Sequence, residues 1–145
     1  MCLIVQSREP KIAEEDIVCY KLVKYWEDAD IYVSSMQHFP IASSRKIIGF
    51  AQKEDSEYEI YSDIRRELGY NIHGGFLHTF ANLKDAKHIL SEVSNKSEYR
   101  MFKCIIPIST TYYEGTTRFI VNGKFISNKS FASRGLIYKE EIPCV

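Results

Sequence analysis

The chain has 145 residues, 45% hydrophobic and 26% charged, a size and balance that suit one soluble domain with one core and exclude disordered and fibrous classes. Lys plus Arg and Asp plus Glu each number 19, so the positive field that long nucleic acid requires is missing, while a small anion held by one or two arginines and a few backbone N–H groups remains a fitting partner. No run approaches the eighteen or so apolar residues of a membrane span and no secretory leader pattern opens the chain, so a cytoplasmic protein without membrane contact is expected.

The first third reads as short extended segments. "CLIV" (2–5), "DIVCYKLVKY" (16–25) and "DIYVSS" (30–35) are rich in β-branched and aromatic residues. In the second, Ile17, Cys19, Lys21 and Val23 point one way and Val18, Tyr20, Leu22 and Lys24 the other, the pattern of a largely buried strand. "KIIGFAQ" (46–52) continues the β character. The period then changes. Ser56 and Glu59 have capping-box spacing, Ile60, Ile64 and Leu68 recur every four residues, and Gly69 stands where a left-handed cap is wanted, which predicts a helix over 57–68. A second helix is predicted after Asn82, its cap, with Asp85 three residues on and Ala86, Ile89, Leu90 and Val93 as its apolar stripe. "RMFKCIIPI" (100–108) reads as a strand stopped by Pro107. In "RFIVNGKFIS" (118–127), Asn122 and Gly123 between apolar runs predict a hairpin with a two-residue type I′ turn, because both central positions must tolerate positive φ. "GLIYKEEI" (135–142) supplies a last strand. The expected architecture is a single α+β domain spanning 1–145, a mainly antiparallel sheet carrying two helices.

Cys2, Cys19, Cys104 and Cys144 stand far apart with no C-x-x-C pair, so reduced thiols are the default and no zinc site is expected. Removal of Met1 would give Cys2 the free amine and thiol of N-terminal-nucleophile hydrolases. The "LIV" that follows reads as a buried strand, and a small buried cysteine is the simpler reading.

Three stretches carry candidate binding chemistry. In "HGGFLHTFANLKDAKHIL" (73–90), a strand over 75–80 places Phe76, His78 and Phe80 on one face and Leu77 and Thr79 on the other. His78 between two rings suits a flat ligand, and equally a histidine satisfied beside the core. His73 and His78, five apart, face opposite ways on a strand and make a poor metal pair; Gly74 and Gly75 permit a turn. "TTYYEGTTRF" (110–119) reads as a polar loop whose Tyr112, Tyr113 and Arg118 offer stacking faces and a phosphate-binding fork. "NKSFASRG" (128–135) adds Ser133 and Arg134, able to wrap an anion and also ordinary turn residues.

Two resemblances bear on function. "GGFLHTFANLKDA" resembles the strand-to-helix segment in which ADP-ribosyltransferases follow a glycine and aromatics with an Ala-containing helix. It implies transfer from NAD, with Glu114 or Glu140 as the catalytic acid. Across most of the chain, "MCLIV", "AEEDIVCYK", "KCIIP" followed by "YYEG", and "ASRGLIYKEEI" resemble a family of short proteins of gut bacteria and their phages, with Leu77 interrupting the family's Gly-Phe-His order. That resemblance implies no activity for any residue.

The leading expectation is a non-enzymatic binder of a small anionic, nucleotide-like ligand, such as a phage or mobile-element protein that captures a nucleotide immune signal. His73, His78, Tyr112, Tyr113, Arg118 and Arg134 form the expected ligand set, with no catalytic residue, cofactor or metal. Self-association would be natural for a domain of this size. The alternatives are an ADP-ribosyltransferase-like enzyme acting on NAD and a protein-interaction domain without a pocket.

Overall fold

Extended segments dominate the computed structural model, which describes residues 3–34, 40–54, 59–62, 69–73, 76–93, 96–121 and 123–143. The strands are β1 (Leu3–Val5), β2 (Lys11–Ile12), β3 (Ile17–Trp26), β4 (Ile31–Ser34), β5 (Pro40–Ser43), β6 (Ala51–Lys53), β7 (Glu59–Ser62), β8 (Tyr70–His73), β9 (Leu77–Phe80), β10 (Tyr99–Ile106), β11 (Thr111–Val121), β12 (Lys124–Ser133) and β13 (Gly135–Ile142). Ten of them join in the order β6-β13-β10-β3-β9-β12-β11-β1-β8-β7, and the same sheet takes β2 on β11 and the β4–β5 pair on β3. Every pairing among the described residues is antiparallel. The fold is thus α+β and sheet-rich, as the composition of the strand segments implied.

Two long strands organise the rest by sharing out their edges. β3 pairs with β10 along one side, from Ile17↔Ile106 to Lys24↔Tyr99, while its other side takes β9 at Tyr20 and β4 from Val23 onward. β11 pairs with β12 along one side, and on the other takes β2 at Thr111–Tyr112 and β1 at Thr116–Thr117. Alternation along these strands builds a core on each face. Cys19, Val23, Phe102, Cys104, Ile106, Leu77, Phe131, Leu136 and Tyr138 fill one face, where Tyr32, Ile41 and Ile47 pack onto them. On the opposite face Leu22, Phe80 and Met101 receive the apolar stripe of α1 (Leu83–Glu92), and Leu3, Val5, Ile72, Phe76, Tyr113 and Ala132 form a separate cluster.

The helix begins as its sequence predicts, with one difference. Asn82 is extended (φ −120°), but its side-chain amide donates to Asp85 Oδ2 at 3.2 Å and makes no cap hydrogen bond to the backbone. Ala86, Ile89 and Leu90 are buried and Val93 packs at the margin. The β11–β12 connection is two residues long, since Val121 and Lys124 are register partners, and Gly123 has φ 77°. Asn122 lies outside the described residues.

Three expectations are corrected. Glu59–Ser62, placed in the helix over 57–68, is a strand paired to β8 through Ile60↔Ile72, so α1 is the one α-helix among the described residues. A four-residue spacing reports local periodicity and carries no information about a distant ladder that satisfies the same backbone groups. The remainder of that stretch, 57–58 and 63–68, lies outside the described residues. Second, residues 46–50 turn before β6: the amides of Lys46 and Ile47 both donate to Ser43 O at 3.0 Å, and Gly49 sits at φ 86°. Third, 111–117, read as a polar loop, and 128–133, read as turn residues, are strand interior in β11 and β12.

Candidate functional site

Tyr112 and Tyr113 are neighbours in a strand, so their rings leave the sheet in opposite directions. Tyr113 is 2% exposed. Its ring meets Phe76 edge-on at 5.4 Å and 75°, and its hydroxyl donates to the backbone oxygen of Arg8. The guanidinium of Arg134 lies 4.5 Å from the centre of the Phe76 ring, and that of Arg8 5.6 Å from the centre of Tyr70. Each contact places a planar cation on the negative face of a ring. Arg134 stands at the corner between β12 and β13, pinned by its own backbone: its amide donates to Thr111 O at 3.0 Å and its oxygen accepts from the amide of Glu54 at 2.9 Å. Its Nη1 donates to Glu54 O at 3.2 Å. One end of the sheet therefore gathers positions 8, 70, 76, 113 and 134, which lie far apart in the sequence and meet through the pairing of β1 with β8 and β11 and of β9 with β12.

His78 belongs to this face. It is the register partner of Ala132, which lies in the Tyr113 cluster, and it stands between Phe76 and Phe80 in the alternation. The side chain is half-buried. Its backbone oxygen accepts from Lys21 Nζ at 2.9 Å.

The Tyr112 side differs in character. That ring meets Phe131 edge-on at 6.0 Å and 73°, and lines an open groove of about 530 Å³ with Lys11, Ile12, Glu14, Glu15, Ile17 and Glu114. Lys129 and Lys11 bind the two oxygens of Glu114 at 2.8 and 3.1 Å. The Lys129 hydrogen bond, with help from Lys11, holds this carboxyl below the usual carboxylate range. Arg118 shares the Tyr112 face but stands about 20 Å further along the strand, exposed opposite Ser127.

Of the expected ligand residues, the structure brings together Tyr113, Arg134 and His78 on one face, and places Tyr112 and Arg118 apart from them and from each other. His73 ends β8 opposite Glu59; its side chain, like Gly74 and Gly75, lies outside the described residues. Arg8 and Tyr70 were not anticipated, because no local pattern marks them. The signal that separates Tyr112 from Tyr113 was present as plain alternation, once the stretch is read as strand.

Elsewhere, several groups with nucleophilic or acidic potential are engaged or buried. Cys19 and Cys104 are buried register partners; burial pushes the Cys19 thiol up to about 12 and Cys104 higher still, so neither is an active thiolate. Lys21, two residues along β3 from Cys19, is buried too, and burial pushes its amine down to about 8. Glu140 lies 3.9 Å from Lys103 on the exposed side of β13. Cys2 and Cys144 lie outside the described residues. Among the described residues, no three or more His, Cys, Asp or Glu side chains group closely enough to hold a metal ion, and no helix is long and apolar enough to cross a membrane.

Comparison of the chain with protein-family models, curated proteins and solved structures yields no match.

Proposed function

We propose that this protein binds a small anionic, nucleotide-like ligand without transforming it, at the end of the sheet where Arg8 and Arg134 flank Tyr70, Phe76 and Tyr113. The observation that carries the reading is the pair of guanidinium groups held over ring faces at one place. Two positive charges supply donors for phosphate or carboxylate, and the half-buried Tyr70 supplies ring area for a flat group, while Phe76 and Tyr113 form the buried floor beneath them. His78, on the same face, adds a hydrogen-bonding imidazole.

Retention without reaction is supported by what surrounds this cluster. The Tyr113 hydroxyl is committed to a backbone oxygen, Glu114 projects from the other face in a double ion pair, and the described thiols are buried. Capture of a nucleotide signal by a phage or mobile-element protein is the biological role that agrees with this chemistry.

The test is to incubate the pure protein with NAD and with cyclic and linear nucleotides, follow its melting temperature, and analyse the ligand after denaturation. A bound nucleotide at a hundred times its Kd stabilises the native state by about 2.7 kcal/mol. Recovery of unchanged nucleotide, with affinity at least about tenfold weaker in Arg8→Ala/Arg134→Ala, supports the reading, each charged hydrogen bond contributing about 1.5–3 kcal/mol. Nicotinamide released from NAD supports transfer instead, and a melting temperature indifferent to every nucleotide sinks the proposal.

A further inference from the structure

β3 ends in an open cleft of about 810 Å³, lined by Lys24, Trp26, Glu27, Asp28, Glu98 and Arg100 among others, a volume ordinary for small-molecule sites. It shares no lining residue with the arginine cluster. Its walls are two short 3₁₀ turns, Glu27–Ala29 after β3 and Lys96–Glu98 before β10. Both turns are tied down. Asp30 closes the first at φ 51°, its amide donating to Glu27 O at 3.3 Å and its Oδ1 accepting from the Tyr25 hydroxyl at 2.6 Å. Across the second, Arg100 Nη1 donates to Ser97 O at 2.6 Å and to Tyr99 O at 2.9 Å.

One ring at this place stands open. Tyr25 packs against Tyr32 at 5.1 Å and has the Arg100 guanidinium 5.6 Å from its centre, and the ammonium of Lys24 lies 5.3 Å from the centre of Tyr99. Trp26, next to Tyr25 in the strand, leaves the sheet on the other face. It is 50% exposed and meets no ring or cation among the described residues.

The charges around Trp26 disfavour an ion of either sign. Glu27, Asp28 and Glu98 are exposed and make no salt bridge among the described residues, so an anion is repelled. Lys24 and Arg100 repel a cation, and they already occupy the tyrosine faces that would complete an aromatic cage. A neutral polyhydroxyl molecule meets neither penalty, because each hydroxyl both donates and accepts.

We propose that this cleft binds a neutral oligosaccharide. The C–H face of one sugar ring lies on the indole of Trp26, while its hydroxyls donate to the carboxylates of Asp28 and Glu98 and accept from the Lys24 ammonium.

Trp26 is the single tryptophan of the chain, so its emission reports on the site directly. The full chain is titrated with maltohexaose, cellohexaose and chitohexaose, and at least one of them should shift the emission saturably. Spermidine and AMP, a cation and an anion, should neither shift it nor displace the sugar; AMP bound at the arginine cluster leaves this emission unchanged. Asp28→Ala and Glu98→Ala keep the fluorophore and should each weaken the affinity at least about tenfold, as loss of a charged hydrogen bond does. By calorimetry Trp26→Ala should bind at least about tenfold more weakly than the wild type, and Trp26→Phe should recover part of the loss. All three positions are exposed, so melting temperatures should match the wild type. No saturable shift with any of the three sugars, a shift produced by spermidine or AMP, affinity indifferent to both carboxylate changes, or unchanged binding in Trp26→Ala would each overturn the proposal.

Discussion

Tyr112 and Tyr113 differ by one place in the sequence and by almost everything else. Tyr113 is sealed beneath Phe76 in a cluster rimmed by two arginines, whereas Tyr112 stands half-buried in an open groove with three glutamates. A single step along a strand moves a side chain to the other face, and here the two faces differ in burial and in charge. On one face two guanidinium groups lie over rings; on the other, Tyr112 shares its groove with Glu14, Glu15 and the Glu114–Lys11 pair. Two adjacent tyrosines in a sequence are therefore two sites, unless a bulge intervenes.

The sharpest way to break that comparison is by truncation. Tyr113→Ala empties a closed site and should cost about 3–5 kcal/mol in chemical denaturation, while Tyr112→Ala, at a partly solvated ring, should cost about 1 kcal/mol. Equal losses would mean that the two faces are packed alike.

Lys21 provides the next largest effect and carries a pH signature. Its folded-state pKa, pushed down to about 8 from 10.5 by burial, means that the unfolded chain holds more protons between those values, so its contribution to stability rises with pH over that window. Lys21→Met should be more stable than the wild type at pH 7 by up to about 3 kcal/mol, and the advantage should shrink towards pH 10.5. Cys19, Cys104 and Tyr138, raised by burial, act with the opposite sign above their ordinary values of 9 and 10; because the Lys21 charge lowers both thiols, their contribution differs between the two proteins, and the amine is read most cleanly between pH 8 and 9. A difference that stays flat from pH 7 to 10.5 would refute the buried amine.

The smallest effect belongs to the ion pairs of the groove. Glu114→Gln should cost under about 1 kcal/mol, because both lysines are more than half exposed, and the cost should fade in salt. Since the Glu114 carboxyl is held below its ordinary 4.5, its stabilisation is present above that value and is lost as pH falls through the folded-state pKa. A loss independent of salt and pH would point to packing.

How far the chain could be read in advance depended on whether the cause was local. β13 is found where its sequence places it, at Gly135–Ile142, and the β11–β12 turn follows from one Asn-Gly pair. Misreadings arose where polar residues are buried. Thr117, Asn128 and Ser130 are 0–3% exposed, with Thr117 and Ser130 joined hydroxyl to hydroxyl at 2.7 Å, and a hydrophobicity pattern sees such a row as loop. Gly115 belongs to the same strand interior. A Cβ there would stand 2.2 Å from Ile4 O, so the glycine marks the close approach of β1 and not a bend. The basic site was half legible. Phe76 and His78 were placed on one face by alternation, but Arg8 and Tyr70 reach it through pairings that no window of sequence contains.

The same economy of edges shapes the order of assembly. β11 and β12, joined by two residues, can close on the microsecond scale of an isolated hairpin. β3 has its longest partner in β10, and β1 lies between β8 and β11, so one edge of each of these strands stays open until residues near and past 100 have emerged. A nascent chain halted midway would present those edges to the solvent, where unpaired strands recruit one another.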